Sequence, residues 1–414
     1  MARIPRTHTP APATAPTDAT LNASATNMRL RAGPGRSIAK ARRGVGDPVS
    51  PAPARVRYIA SPPPPGGNRT LTMSIESVLP GLTASVRKAG KLVFHSVGDT
   101  GGVKGENTQT AIAEAMEAQI NAAATDDKAA FFYHLGDVVY FNGQSENYLQ
   151  QFYEPYQYYP GPIFAIPGNH DGDTAVRPTD QPDNEPSLAG FMANFCASST
   201  ASAFKHRSPM DQPHCYWALT APFVYAIGLY SNVDGSLDAD GDRTQWEWLV
   251  ARLKDAPADK WLLLAIHHPC FSLDSSHGGY ENTLELLDAA FASAERTPDI
   301  VLSGHVHNYQ RFTRTVNGTS VPYIVAGGGG YADSARALHK LQAGIEADPS
   351  NPFQTTRDDV VMNMFDQSNP GFLRLTAAPD ALTVDYFAVP FGINEAPADS
   401  EDSVTVTATT AKTA

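Results

Sequence analysis

The stretch VLSGHVHNYQRF, Val301–Phe312, places His305 and His307 two residues apart, directly after a short apolar run and a glycine. The apolar run reads as a strand ending at Gly304, with both imidazoles at its tip. One such pair decides little, because Gly, Asp and Asn after strands are ordinary turn residues. Its meaning depends on how the other strands end.

Four apolar runs end alike. KLVFHSV (91–97) leads into Gly98-Asp99, and FFYHL (131–135) into Gly136-Asp137. PIFAIP (162–167) leads into Gly168-Asn169-His170, and IVLS (300–303) into Gly304-His305-Val306-His307. A fifth run, WLLLAI (261–266), leads directly into His267-His268-Pro269. Glycine lets the backbone turn sharply beside a ligand, and the next side chain is aimed from a rigid strand tip. Turns have no special need of imidazole, yet five of the chain's twelve histidines sit at these tips. Carboxylate, amide oxygen and imidazole suit Mn, Zn and Fe. Two ions about 3.5–4 Å apart need a shared carboxylate, and Asp137, on a middle strand of the series, is the candidate bridge.

Outward from the tips, further apolar runs at 222–229 and 321–326 read as strands. Helical periodicity lies between them: Ile112, Met116 and Ile120 share a face, with Asn107 as a candidate cap. Two more helices are predicted over RTQWEWLVARLKDA, where Trp246, Leu249 and Leu253 share a face, and over ENTLELLDAAFASA. GFLRLTA and LTVDYFAV read as a hairpin around a Pro-Asp turn. This alternation predicts an α/β sandwich of two mixed sheets with helices outside, with a one-sheet α/β fold as the rival. Residues 1–70, rich in Ala, Pro and Thr, are expected to be a disordered basic tail, since they lack the apolar surface to offset ordering entropy. Residues 71–90 are a possible edge segment and 91–395 the folded domain. Residues 396–414 are a polar tail whose SVTVTATT either covers an edge or stays loose.

The net charge of -12 conceals an asymmetry: ten basic and two acidic residues in 1–57, against 21 basic and 41 acidic in the remainder. An acidic body is poorly suited to gripping nucleic acid, so no nucleic-acid partner is expected. Small phosphate substrates stay open, because a metal reverses the local field. Three cysteines form neither a disulfide framework nor a zinc finger, although a Cys196–Cys215 bridge is possible. No apolar run is long enough to span a membrane. The start lacks the apolar core of a secretory signal, which favours a cytoplasmic location over secretion. Asn22, Asn68 and Asn317 lie in glycosylation tripeptides that matter only on export. The oligomeric state is open.

GDTG at 98–101, GDVVY at 136–140, GNHD at 168–171, the histidine of AIHHP and GHVH at 304–307 resemble, in order and spacing, the calcineurin-like metallophosphoesterase superfamily. Within it the chain looks most like the purple acid phosphatases. Many other members carry Asp-x-His in the first block; here position 101 is Gly, and GDVVY offers Tyr140 instead. The resemblance implies a four-layer αββα sandwich. It also implies a first metal held by Asp99, Asp137, Tyr140 and His307, and a second held by Asp137, Asn169, His267 and His305. The implied function is hydrolysis of phosphate monoesters by attack of a metal-bound hydroxide on a small phosphoester substrate. A phosphodiesterase or a noncatalytic phosphate-binding module is the alternative.

Charge agrees with that assignment. A phenol, with a reference pKa of about 10, ligates well only where a strongly charged ion removes its proton. Fe(III) beside a divalent Zn, Mn or Fe is therefore favoured. If Tyr140 only packs, two divalent ions remain and the first site is one ligand short. His170 is assigned phosphate contact or proton transfer, with Asp171 orienting its ring, and His277 donation of a proton to the leaving group. His268, His95 and His134 are read as packing or supporting groups and Arg311 as support for the site. Gly327–Gly330 are either a phosphate cradle or a tight loop, and the tyrosines between 148 and 159 either a substrate wall or a packed aromatic segment.

Overall fold

The computed structural model describes residues 44–50, 62, 71–102, 106–174, 185–197, 207–232, 237–238, 242–316, 318–332, 338–392, 397 and 399–414. The rest of the basic tail and the three glycosylation tripeptides' asparagines lie outside the described residues.

Two mixed sheets pack face to face. One has six strands in the order Asp402–Thr407, Ala381–Ala388, Gly371–Ala377, Leu92–Val97, Phe132–His134, Ile163–Ala165. The other has nine, and at its centre Thr319–Ala326, Ile300–Ser303, Trp261–Ile266 and Val224–Leu229 run parallel. Strand periodicity builds the layers, since alternate side chains face opposite ways. Leu92, Phe94, Phe131 and Phe164 meet Trp217, Leu263, Leu302 and Ile324 in the core between the sheets. On one outer face Val93, Val97 and Phe132 take Ile112, Met116 and Ile120 of helix Glu106–Ala122. On the other, Leu262, Leu264 and Val301 take Leu249 and Leu253 of Thr244–Asp255 and Leu284, Leu287 and Phe291 of Glu281–Ala294. Strands buried on both faces explain their near-continuous apolar runs. The result is the expected α/β sandwich with helices outside both sheets.

Several details add to or differ from the sequence reading. Glu106–Ala122 begins before Asn107, so that residue lies in the first turn rather than capping it. Val49–Ser50 pairs with Gly279–Tyr280, and Gly46 N donates to Gln342 Oε1 at 2.9 Å, so the tail is ordered over this stretch. Thr72–Ser74 adds a parallel edge strand to the nine-stranded sheet, and Asp402–Thr407 covers the edge beside Ala381–Ala388. Cys196 and Cys215 are buried and are not joined by a disulfide, so that bridge is absent. Among the described residues no helix is long and apolar enough to cross a membrane.

Candidate metal centre

Parallel strands from both sheets deliver their carboxyl ends to one rim of the sandwich, and the residues just beyond them converge. Asp99, Asp137 and His305 all have left-handed backbones, with φ of 58°, 53° and 68°. Such conformations are uncommon outside glycine and collect at functional sites. Gly136 and Gly168 make the approach possible. A β-carbon on Gly136 would lie 2.6 Å from His267 Nδ1, and one on Gly168 would overlap Asp137 Oδ1.

Two groups of donors result. In the first, the Tyr140 hydroxyl lies 3.2 Å from Asp99 Oδ1 and 3.3 Å from His307 Nε2, which is itself 3.4 Å from Asp99 Oδ1. In the second, Asn169 Oδ1 lies 2.9 Å from His305 Nδ1 and 3.2 Å from His267 Nε2. His267 Nε2 is also 3.4 Å from Asp137 Oδ2. Ligands about 2.1 Å from one ion stand roughly 3.0–3.4 Å from each other, depending on octahedral or tetrahedral geometry. The observed spacings match that shell.

Electrostatics supports the same fit. Burial, opposed by His267, pushes Asp99 well above the carboxylate range. Burial would also raise Asp137, but the His267 and His170 imidazoles hold it well below. Burial alone would lower His267, yet Asp137 draws a proton onto it and raises it to about 9. Two buried carboxylates thus demand positive charge, and their imidazole neighbours supply it only by taking up protons. A metal ion meets that demand directly. His305 is held well below its ordinary value by burial and by neighbouring imidazoles, which leaves a lone pair to donate. Burial, then Asp137 and Asp99, push the Tyr140 phenol well above 10.

Outer contacts aim these donors. His267 Nδ1 donates to the Leu135 carbonyl at 2.8 Å, which turns Nε2 toward Asn169 and Asp137. His305 Nε2 faces the Tyr280 hydroxyl at 2.9 Å, leaving Nδ1 toward Asn169. Tyr331 stacks on Tyr140 with ring centroids 3.7 Å apart. Gln151 Oε1 accepts from Tyr140 N–H at 2.8 Å. Sequence reasoning missed Tyr280, Tyr331 and Gln151, which belong to no motif.

The remaining candidates separate clearly. His170 N donates to Asp137 Oδ1 at 2.8 Å, and its Nδ1 donates to the Phe141 carbonyl at 2.9 Å. Asp171 does not orient that ring: it accepts N–H bonds from Val138, Val139 and Gly168, tying the second and third blocks together. His277 stands with its ring 5.3 Å from that of His305. His268 is buried against Ser231 Oγ at 2.8 Å. His95 bonds Tyr159 and Gln119, and His134 bonds Thr100, so both are core residues. Arg311 grips Asp402 through two bonds of 2.6 and 2.8 Å and belongs to the packing rather than to the site. Gly327 lets its loop approach Asp99, because a β-carbon there would lie 2.8 Å from Oδ2. Tyr148, Tyr153, Tyr156 and Tyr159 are buried in the core, and Tyr158 is exposed.

Fold and donor set together have the architecture of a binuclear-metal-binding phosphoesterase fold. The chain belongs to the calcineurin-like phosphoesterase family, whose profile matches residues 93–309. It is similar to purple acid phosphatase 22 of Arabidopsis thaliana, 29% identical over 132 residues covering 30% of this chain and 29% of that protein. Purple acid phosphatase 18 of the same plant is 25% identical over 205 residues, 48% of this chain and 41% of that one. The matches thus span less than half of these relatives. In fold it resembles a purple acid phosphatase from yellow lupin seeds (Lupinus luteus), with a TM-score of 0.53, 18% identity and coverage of 77% and 54% of the two chains. The Plasmodium inner-membrane-complex anchor GAP50 also has a TM-score of 0.53, with 14% identity and coverage of 77% and 89%.

Proposed function

We propose that this chain hydrolyses phosphate monoesters at a binuclear centre of the purple acid phosphatase type. Asp99, Tyr140 and His307 would hold one ion, Asn169, His267 and His305 the other, and Asp137 both. The observation that carries the proposal is the convergence of Asn169 Oδ1, His305 Nδ1 and His267 Nε2 within 3.2 Å of the amide oxygen. Two adjacent ions supply Lewis acidity toward phosphoryl oxygens and a water acidified toward neutrality.

The chain's own groups do the rest. His170 is fixed through Nδ1 by the Phe141 carbonyl, so Nε2 is the atom left to bond a phosphoryl oxygen. His277, half-buried with its ring 5.3 Å from that of His305, would give a proton to the departing oxygen. Leu135 and Tyr280 hold the ligating rings in one tautomer each. Two carboxylates and a tyrosinate around the first ion favour Fe(III) there, and the less charged second set favours Zn, Mn or Fe(II). GAP50 shares the fold and is described as an anchor, so the donor set, rather than the fold, carries the catalytic reading.

The test is protein produced with iron, zinc and manganese available, its ions counted, and its turnover compared on an aryl phosphate and a bis-aryl phosphate. Two ions per chain, faster cleavage of the monoester and loss of turnover in Asp137→Asn are expected. Faster cleavage of the diester would replace the monoesterase with a phosphodiesterase. Two ions with no turnover on either ester would favour a noncatalytic phosphate-binding module. A visible band lost in Tyr140→Phe is expected of tyrosinate on Fe(III), and a colourless, fully active zinc or manganese protein would overturn that part.

A further inference from the structure

His339 belongs to none of the motif blocks, yet it is tied to His307, one of the residues assigned to the first ion. His339 N donates to His307 O at 3.0 Å, and Asn308 Nδ2 donates to His339 O at 3.0 Å. The side chain returns a bond, with Nδ1 accepting the His307 N–H at 3.1 Å. Accepting there leaves the proton of the neutral ring on Nε2, so one tautomer is selected. Backbone and ring of His339 are thus both fixed against His307.

The same ring is shared with His277. His339 stacks on His307 with centroids 4.3 Å apart and 18° between planes, and on His277 at 4.4 Å and 6°. The segments that carry the two rings are laced together. Asp274 bridges Leu341, Ser275 N donates to Lys340 O at 2.8 Å, and Gln342 N donates to Leu273 O at 2.9 Å. The His277 side chain is 39% exposed, so enclosure alone does not set its position. Its Nδ1 lies 3.4 Å from Asp274 Oδ1, which also accepts the His277 N–H. That contact turns one edge of the ring, and the flat face of His339 sets its plane.

We propose that His339 is a positioning residue of this centre: its ring sets where the His277 imidazole stands, and its Nδ1 holds the backbone of His307. The catalytic consequence rests on the function proposed above. In that hydrolysis the departing oxygen keeps the electron pair of the broken P–O bond and takes a proton from His277. An alkoxide needs that proton far more than a nitrophenolate does, so misplacing His277 should be felt according to the leaving group.

The test compares His339→Phe, which keeps a ring and drops the acceptor, with His339→Asn, which keeps an acceptor and drops the ring. Turnover is measured on nitrophenyl phosphate and on glycerol phosphate, with bound ions counted in the full-length protein. His339→Asn should lose about 10-fold or more on glycerol phosphate beyond any loss on nitrophenyl phosphate, while His339→Phe keeps the wild-type ratio between the two esters. A chelator should remove one ion about 10-fold more readily from His339→Phe than from wild type. Equal losses on both esters in His339→Asn would overturn the positioning of His277, and unchanged release from His339→Phe would overturn the hold on His307. If His339→Asn sheds both ions its strip has collapsed, and the chelator measurement on His339→Phe decides. A wild type inactive on both esters would overturn the function proposed above instead. Proton signals of the histidine rings, read in protein free of paramagnetic ions, then decide the stack. They should stay displaced in His339→Phe and relax in His339→Asn, and signals unmoved in His339→Asn would overturn it.

Discussion

A β-carbon on Gly101 would stand 2.6 Å from Tyr140 Cδ2 and 2.6 Å from Gln151 Oε1. The tyrosine ring thus fills the space that a side chain at position 101 would need. Its hydroxyl reaches Asp99 and His307 from that side. Glycine at 101 and tyrosine at 140 are two halves of one arrangement.

Gly101→His should therefore fail to add a working ligand. The imidazole must displace Tyr140 or Gln151, and overpacking of a tight site costs about 1–3 kcal/mol. A lower melting temperature and loss of the tyrosinate band are expected together. Unchanged stability with two ions bound would show that the ring yields freely.

Tyr280→Phe removes the hydroxyl 2.9 Å from His305 Nε2 and nothing else from the proposed coordination set. Loss of such an orienting bond typically lowers metal affinity or activity about 10–100-fold. Competition with a chelator should show the weakening at the second ion, with the first retained. Equal release of both ions would mean that the tyrosine supports the fold at large.

His95 predicts the acid side of the stability curve. Burial is the main cause that lowers its pKa, to about 4, with the Gln119 hydrogen bond opposing. Its neutral form is the folded one, so the unfolded chain takes up the proton first, near 6.5. Its contribution is fully present above about 6.5 and is lost as pH falls toward about 4, on the order of 3 kcal/mol in all. Melting temperatures at several pH values should fall through this window, and His95→Gln should flatten part of the decline. An identical slope in the variant would remove His95 as the cause.

Arg311 and Asp402 join the two sheets. Their bonds of 2.6 and 2.8 Å, with the Tyr309 hydroxyl donating to Asp402 at 2.7 Å, tie strand Asp402–Thr407 to Tyr309–Val316. Asp402→Ala strands a buried guanidinium and should cost about 3–5 kcal/mol, whereas an apolar pair at both positions should recover most of it. Urea unfolding of the single and double variants measures this. Equal losses in both would show that the cost is packing rather than charge.

The strand–helix alternation, the tips that carry the site and the residue types at those tips were all legible in the chain's local patterns. Apolar runs and helical faces are local signals, and Gly-Asp, Gly-Asn-His and Gly-His-Val-His each span a few residues. That was enough to name Asp99, Asp137, Asn169, His267, His305 and His307 as one group. What those residues meet was settled by packing between distant segments. Asp171 binds backbone N–H groups rather than His170, Arg311 pairs across the sheets, and His339 reaches Asp274 from 65 residues away. Val49–Ser50 finds its partner strand some 230 residues on. Such contacts come from packing between segments remote in sequence, and no local period encodes them. The fit of Tyr140 into the space beside Gly101 is likewise a matter of volume, which only the folded chain defines.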